Sequence, residues 1–599
     1  AGMGKERPLS NRDKPYNGQG ASRLDSMHWA DVIANALVER GGKHLISTGI
    51  TPSGYIHVGS LRESITANAV YKALKERKAD VDFIYLVDSY DPLRKRYPFL
   101  PERFEKEVGK PICYIPCPDG CHASYAEHYI TPFLDAIGEL GIRPRIIWTH
   151  RLYEEGRFTE VTPLPEAPRR FLLPGLIDSH IHIESSQLCP SRFAEAVVPH
   201  GTTAVVSDPH EIANVLGMKG IEYMLEDSSK VPLRIYLTAP SCVPATPFER
   251  SGAAIGVAEI EFMLKDPRFV GLGEVMDVQG VLSDDPRIIS KIKAAKAFWK
   301  GIDGHCPGLT GTDLVKYINA GIRTDHESLT AEEAEEKYFL GMWVQVREGS
   351  ASQDLRTLMP FAKGHECMLV SDDLRAEDIV NGHMDVLLRK AVALGMPPLH
   401  AIRAVTAWPA WHYGLAGGSV AVGRTADLVV VDDLHSFNVL EVYIGGTKVA
   451  ERGTALFTAV PKANGLGISP RALHGQDLLL EAKGERAAVR AIEAYPNRIQ
   501  SGGLVTELPV REGRVRASLE QDVLHLALVN RYLDERPVLG FIKGFGLKRG
   551  AMATSVSHDC HHLLAVGASV EDMAMAINAV SRAGGFAVCD NGKMKTLPL

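Results

Sequence analysis

The chain has 599 residues, of which 45% are apolar and 23% charged, and it carries a net charge of −7. This composition is ordinary for globular proteins and excludes disorder, collagen or a coiled-coil rod as the main architecture. The mildly acidic balance argues against a nucleic-acid-coated protein. We find no apolar run of about 18–20 residues, so we expect no membrane partner. Nine scattered cysteines predict no disulfide framework and favour a cytoplasmic location.

Changes in local composition divide the chain into segments. Strand-like and helix-like stretches alternate early in the chain, which is typical of a doubly wound α/β sheet. Three prolines in VTPLPEAPRR then mark a seam. The predicted segments are a flexible arm (1–27), a Rossmann-like α/β segment (28–160), a linker (161–170), a barrel (171–411), strands of a small β-domain (412–461) and a C-terminal α/β domain (462–599).

The run FLLPGLIDSHIHIESS, residues 171–186, joins an apolar stretch to His180 and His182. Alternate side chains of a strand share one face, so both imidazoles point the same way. Two neutral imidazoles at this spacing can bind one metal ion. A strand with two chance histidines is the alternative interpretation of this motif alone.

Seven further apolar runs follow at spacings of about 20–40 residues, the size of one βα unit, and predict a (β/α)₈ barrel. Active sites of that fold lie at the carboxyl ends of the strands, where each run here ends in a ligand-capable residue. The runs end at Asp208 with His210 and Glu211, at Ser241, at Glu274, at His305, at His326, at Arg347 and at Asp372.

These residue types predict metal-assisted hydrolysis. Glu274 has two carboxylate oxygens and suits a bridge between two divalent ions, which about 3.5–4 Å apart can share a water and lower its pKa towards neutrality. Asp372 would accept the proton of that water and return it to the leaving group. Mixed nitrogen and oxygen ligands favour Zn, Mn or Fe.

The motifs GTTAVVSDPHEIANVLG, GLGEVMD, GHCPGL, TDHES, VSDD and LKRGAMATSVSHDCHHLLAVG resemble the adenine deaminases of the amidohydrolase superfamily over about 171–599. The resemblance implies a TIM-barrel amidohydrolase with a partial β-sandwich and a C-terminal α/β domain. It implies hydrolysis of adenine to hypoxanthine and ammonia at two Mn or Fe ions, and we also expect a homo-oligomer. The implied metal ligands are His180, His182, Glu274, His305, His326 and Asp372, with Asp372 also acting as the proton shuttle.

Five further residues are candidates for binding substrate or supporting the metal ligands. Asp208, His210 and Glu211 either orient the substrate or cap a helix. Arg347 either donates to a purine or forms a salt bridge at the barrel rim. His558 belongs to the run SHDCHH, which either closes over the site, binds another ion or plays no part in it.

The N-terminal segment carries a different motif. HLISTGITPSGYIHVGSLRE, residues 44–63, reads as a strand, a turn and then His57, Gly59 and Ser60 at the start of a helix, which suits a nucleotide phosphate. With HWADVIA, DPLRKRYPFLP, DGCHASYAEHY and RLYEEGRFTE, it resembles class I lysyl-tRNA synthetases over about 26–160. We find no KMSKS-like loop, so we expect vestigial nucleotide binding, with weak residual ATP or tRNA binding only.

Two departures from these families leave alternatives open. Adenine deaminases continue beyond the point that corresponds to Leu599, and synthetase-like sequence occupies the place of their first β-strands, so both halves are expected to be truncated. One alternative is a nucleotide- or tRNA-binding protein without complete ligase machinery. The other is an amidohydrolase that acts on another aminopurine.

Overall fold

The computed structural model describes residues 28–150, 157, 170–461, 472–496 and 500–599. These residues form two compact units that divide at residue 155. The predicted arm (1–27) lies outside the described residues, as do nearly all of the linker and of the motif RLYEEGRFTE. None of the described helices combines the length and the apolar character that crossing a bilayer requires.

The N-terminal unit is a three-stranded parallel sheet with helices, as the alternating pattern predicts. Its central strand, Val81–Val87, pairs with both neighbours and is the most buried of the three. The strands are His44–Ile50, Val81–Val87 and Arg145–Trp148, and the helices are Trp29–Arg40, Val58–Glu76, the 3₁₀ turn Glu102–Glu107 and Tyr125–Glu139.

The second unit contains the predicted eight-stranded barrel. Its first two strands are buried at every position, because a parallel barrel strand is covered by helices outside and by side chains inside. The strands are Leu176–Ile181, Thr202–Ser207, Arg234–Ala239, Phe269–Val275, Gly301–Gly304, Thr324–Asp325, Trp343–Arg347 and Met368–Val370. The surrounding helices are Pro190–Val197, His210–Leu216, Met218–Ser228, Val257–Leu264, Val278–Leu282, Pro286–Ala297, Gly311–Ala320, Ala331–Phe339, Leu355–Ala362, Ala376–Ile379, Met384–Ala393, Pro398–Ala404 and Ala407–His412.

Backbone hydrogen bonds close the barrel where its five-stranded and three-stranded sheets meet. On one side the N–H of Arg323 donates to the carbonyl of Ile302 at 3.0 Å. On the other side the N–H of Asp372 donates to the carbonyl of His180 at 3.0 Å, and the N–H of His182 donates to the carbonyl of Asp372 at 3.2 Å. Closure therefore brings the first and last predicted ligands together.

A five-stranded antiparallel sheet lies beside the barrel. Sequence analysis placed 171–174 in the barrel, but Phe171–Pro174 pairs with Leu428–Val431 of this sheet. Only Leu173 of that strand is buried, which suits a sheet with one solvated face, and the barrel begins at Leu176. The other strands are Val439–Ile444, Thr447–Glu451 and Thr454–Ala455.

The C-terminal region forms a nine-stranded, largely antiparallel sheet with one long helix, Val570–Ala583. The helix buries Met573, Ala576, Ile577 and Val580, the residues that its apolar spacing predicts. The strands are Arg486–Glu493, Gly502–Arg511, Arg514–Val515, Val523–Val529, Val538–Lys543, Ala551–Thr554, Leu563–Gly567, Phe586–Asp590 and Lys593–Leu597, and a 3₁₀ turn spans Gly475–Leu478.

A fully buried lysine joins the ends of two barrel strands. Lys337 Nζ donates to Asp325 Oδ2 at 2.8 Å, to Glu333 Oε1 at 2.6 Å and to the carbonyl of Cys306 at 2.9 Å. Asp325 also accepts from the backbone N–H of Cys306 at 2.9 Å. Because Cys306 and Asp325 adjoin His305 and His326, this cluster fixes the backbone that carries both histidines.

Replacing Lys337 with Met should lower the free energy of unfolding by about 3–5 kcal/mol, because it leaves buried carboxylates without a partner. Denaturant titration followed by circular dichroism measures the change. The matched control is Lys316→Met, which removes a solvent-exposed ion pair to Asp284 and should cost less than about 1 kcal/mol. Equal costs for the two variants would contradict a structural role for the buried cluster.

Candidate metal centre

Three imidazoles of the predicted ligand set contact the carboxylate of Glu274 at the carboxyl end of the fourth barrel strand. His182 Nε2 lies 3.2 Å from Oε1. His305 Nδ1 lies 2.8 Å and His326 Nε2 3.2 Å from Oε2. Each carboxylate oxygen therefore faces a different set of nitrogen donors, the arrangement that a bridging carboxylate requires.

Asp372 provides the second carboxylate of the cluster. Its Oδ1 lies 3.5 Å from His180 Nε2 and 3.2 Å from His182 Nε2, while its Oδ2 accepts from Arg347 at 3.0 Å. The residue has a φ of 57°, a left-handed conformation that non-glycine residues rarely adopt and that clusters at functional sites. The structure thus brings all six predicted ligands to one place.

Unsatisfied buried atoms show that the cluster fits a cation. Within the described chain, His180 Nε2 and His326 Nδ1 are buried and have no hydrogen-bond partner. His182 Nδ1 lies 3.0 Å from the carbonyl of Asp208, which can only accept, so Nδ1 carries the proton and the Nε2 lone pair faces the carboxylates. Histidine ligands of metal ions are oriented by hydrogen bonds of this kind.

The electrostatics of the cluster favour positive charge. Burial raises the pKa of Glu274, but the charge of His326 and hydrogen bonds from His182 and His305 outweigh it and hold that pKa well below its usual range. Burial likewise lowers the pKa of His326, yet Glu274 raises it to about 9. The pKa of His180 is lowered to about 4, by burial and then by His326, so this ring stays neutral and keeps a nitrogen lone pair.

The cluster opens into a cavity of about 780 Å³, large enough for a small heterocycle. His210 and Glu211 are buried in its wall, and Asp208 is buried behind the cluster without lining the cavity. Asp208 Oδ2 accepts from the backbone N–H of Glu274 at 2.9 Å, and the helix His210–Leu216 has no side-chain cap. These contacts contradict the helix-cap alternative and place the three residues beside the cluster.

Arg347 is buried in the wall of the cavity, and its guanidinium binds protein carboxylates. It donates to Glu327 and to Asp354, at 3.0 Å from the latter, as well as to Asp372. The salt-bridge alternative is therefore the one that the structure supports, although the ion pairs lie inside the barrel mouth and not at its rim.

His558 reaches the same cavity from the C-terminal domain, with Nδ1 3.0 Å from Glu211 Oε1. Sequence analysis did not single out Glu327 or Asp373, which also line the cavity. Both stand in the motifs TDHES and VSDD, directly after a predicted ligand, and only that adjacency could have indicated them.

The predicted nucleotide-binding residues begin the helix Val58–Glu76 of the N-terminal unit. His57 Nδ1 accepts from the N–H of Gly59 at 3.1 Å, so this histidine caps the helix, and Ser60 N–H donates to the carbonyl of His57 at 3.1 Å. Among the residues that the structure describes, the exposed side chain of His57 forms hydrogen bonds only within its own turn. The hydrogen bonds of His57, Gly59 and Ser60 are therefore those of an ordinary helix N-terminus.

The N-terminal unit also holds a group of metal-binding residue types that sequence analysis missed. Cys117 Sγ lies 3.7 Å from Cys121 Sγ and 3.5 Å from His128 Nδ1, and His122 Nδ1 lies 3.1 Å from Cys121 Sγ. Two thiols and two imidazoles at these distances match the donor set of a tetrahedral zinc site. The signal was the spacing of these four residues within one short run.

Comparisons with known proteins match the three regions separately. The family model described as "tRNA synthetases class I (K)" matches residues 27–164, the amidohydrolase family model matches 171–449, and the adenine deaminase C-terminal domain matches 500–599. A solved β-aspartyl dipeptidase from Fervidobacterium islandicum AW-1 is 16% identical, with a TM-score of 0.38 over 51% of this chain and 93% of that chain. We base no argument on that likeness.

Curated relatives cover most of the second unit. A protein named adenine deaminase from Methanosphaera stadtmanae is 46% identical over 70% of this chain and 78% of its own length. Relatives with that name from Methanothermobacter thermautotrophicus and Salinibacter ruber are 45% and 43% identical, over 70% and 74% of this chain and 78% and 82% of their own lengths. With relatives of that name 43–46% identical over 70–74% of the chain, and with the amidohydrolase and adenine deaminase C-terminal models both matched, this chain belongs to the adenine deaminase family.

Proposed function

We propose that the second unit hydrolyses adenine to hypoxanthine and ammonia at a centre of two divalent cations. The observation that carries the proposal is the convergence of four histidines and two carboxylates at the barrel mouth, in a chain whose relatives are named for this activity. One water is consumed: its oxygen bonds to C6 of the purine, and the bond from C6 to the exocyclic nitrogen breaks.

The residues that would hold the cations are His180, His182, Glu274, His305, His326 and Asp372. Divalent ions bound there supply Lewis acidity and lower the pKa of a nearby water towards neutrality. The mixed imidazole and carboxylate donors fit Mn or Fe, and also Zn. We place Mn and Fe first, on the resemblance to adenine deaminases.

The protein itself supplies orientation and a proton path. Asp372 accepts a proton from the water that adds to C6 and passes it to the departing amino group. Burial raises the pKa of this carboxyl, but the imidazoles around it and then the guanidinium of Arg347 hold it well below its usual range, so Asp372 is ionised. Asp208 accepts a hydrogen bond from the backbone N–H of Glu274 and so holds the Glu274 carboxylate in place beside Asp372.

Neither alternative function has an observation of its own that favours it. We place adenine ahead of other aminopurines because the relatives are named adenine deaminase. For the N-terminal unit, residual binding of ATP or tRNA rests on the family match alone, because His57 and Ser60 make only the contacts of a helix start. A homo-oligomeric state remains part of the proposal.

The direct test is ammonia release from adenine by the full chain purified with Mn²⁺, compared with cytosine and with 2-aminopurine. We expect turnover of adenine that a chelator abolishes and that Mn²⁺ restores. Turnover of 2-aminopurine in place of adenine would establish the second alternative. If a chain that carries its full metal content turned over none of these substrates, the result would contradict the proposed function.

Replacing Glu274 with Gln should reduce bound metal and lower kcat about 10–100-fold or more, because an amide cannot bridge two cations. Elemental analysis and initial rates measure the two effects. The control is Glu261→Gln, at an exposed position of the barrel helix Val257–Leu264. This change should leave the metal content and kcat unchanged. Metal content and rate equal to those of the unmodified protein would contradict the bridging role.

Replacing Asp372 with Asn should lower kcat by about 10²–10⁴-fold, the size of effect expected when a general acid–base group is lost. The KM for adenine should change much less. Asp284→Asn is a matched control, since Asp284 has the same φ of 57° but an exposed side chain. A rate that falls only through a higher KM would show that Asp372 binds substrate and moves no proton.

A further inference from the structure

The loop 557–562 of the C-terminal domain reaches the mouth of the barrel. It connects the strands Ala551–Thr554 and Leu563–Gly567, and His558 and Asp559 both line the cavity beside the metal-ligand cluster. The closure of the barrel does not depend on this loop, because the barrel closes by its own backbone hydrogen bonds. The loop carries two imidazoles and a carboxylate to the barrel. The groups that they contact there lie about 350 positions earlier in the chain.

Two histidines of the loop hold the carboxylate of Glu211. His558 Nδ1 lies 3.0 Å from Oε1 and His561 Nε2 lies 2.6 Å from Oε2. Glu211 is fully buried, so its charge needs partners of this kind. This pairing clamps the loop onto the residue that follows His210.

The third contact is between Asp559 and His210. Asp559 Oδ1 lies 3.2 Å from His210 Nε2. The other ring nitrogen, Nδ1, is buried and has no hydrogen-bond partner, and it faces the cluster at 3.5 Å from Glu274 Oε1. An acceptor at Nε2 fixes both the plane of the ring and the direction of its second nitrogen.

We propose that the C-terminal domain completes the active site: His210 contacts the purine through Nδ1, and Asp559 is the positioning residue that aims it. The inference rests on the proposed deamination and adds the residues that hold the substrate over the cations. Because the carboxylate of Asp559 accepts from Nε2, the neutral ring presents an unprotonated Nδ1, which can accept a hydrogen bond from an N–H group of the purine, such as its exocyclic amino group.

The loop is also held by hydrogen bonds that do not involve the side chain of Asp559. Tyr532 donates its hydroxyl to the carbonyl of Cys560 at 2.6 Å, and His562 Nε2 donates to the carbonyl of Arg250 at 2.6 Å. Arg531 donates to the carbonyl of His561 at 3.1 Å. We therefore expect the loop to keep its position when the side chain of Asp559 is changed.

The experiment is a double-mutant cycle on the metal-loaded full chain, with adenine as substrate. Asp559→Asn and His210→Gln should each lower kcat/KM about 10–100-fold, the range seen when a partner behind an active-site histidine is lost. In the His210→Gln background, Asp559→Asn should change kcat/KM less than twofold, since the residue through which it acts is absent. Asp559→Glu, which keeps the charge, should recover part of the activity.

The matched control is Glu535→Gln, which removes a different ion pair between the C-terminal domain and the barrel, to Arg250, and should leave kcat/KM unchanged. Melting temperature and metal content are measured for every variant. Additive losses in the cycle, or an unchanged rate in Asp559→Asn, would overturn the inference while leaving the proposed function in place. An inactive unmodified protein would overturn the proposed function and this inference with it.

Discussion

Two ionised carboxylates buried in one place are the constraint on which the structure of the second unit depends. Glu274 and Asp372 are nearly inaccessible to solvent, and an isolated buried carboxylate is strongly destabilising. Imidazoles and the guanidinium of Arg347 surround them, and these hold the pKa of each carboxyl well below its usual range although burial alone would raise it. A site that stabilises positive charge so strongly is ready to exchange protons for metal ions.

Several sets of hydrogen bonds outside the cluster hold the two carboxylates and their imidazole partners in place. Barrel closure places Asp372 beside His180 and His182 through backbone hydrogen bonds, so the ligands from the first and eighth strands form a unit. Asp208 ties the backbone of Glu274, and the buried ammonium of Lys337 ties the segments that carry His305 and His326. The geometry of the cluster is therefore set by groups that do not face the cavity.

The barrel and its ligands could be predicted from the sequence because both leave periodic signals. Eight apolar runs, each ending in a ligand-type residue, predict eight parallel strands whose ends meet. The pattern could not assign Phe171–Pro174 to the smaller sheet, because an apolar run does not reveal its pairing partner. Nor could it reveal that Asp559 meets His210, since that contact depends on how a distant loop folds back.

The decisive measurement is the metal stoichiometry of the full chain after saturation with Mn²⁺ and removal of free ions, together with ammonia release from adenine. We expect two ions per chain, lost together with activity on chelation and regained together on reloading. Retention of full activity by protein stripped to well below one ion per chain would contradict this expectation.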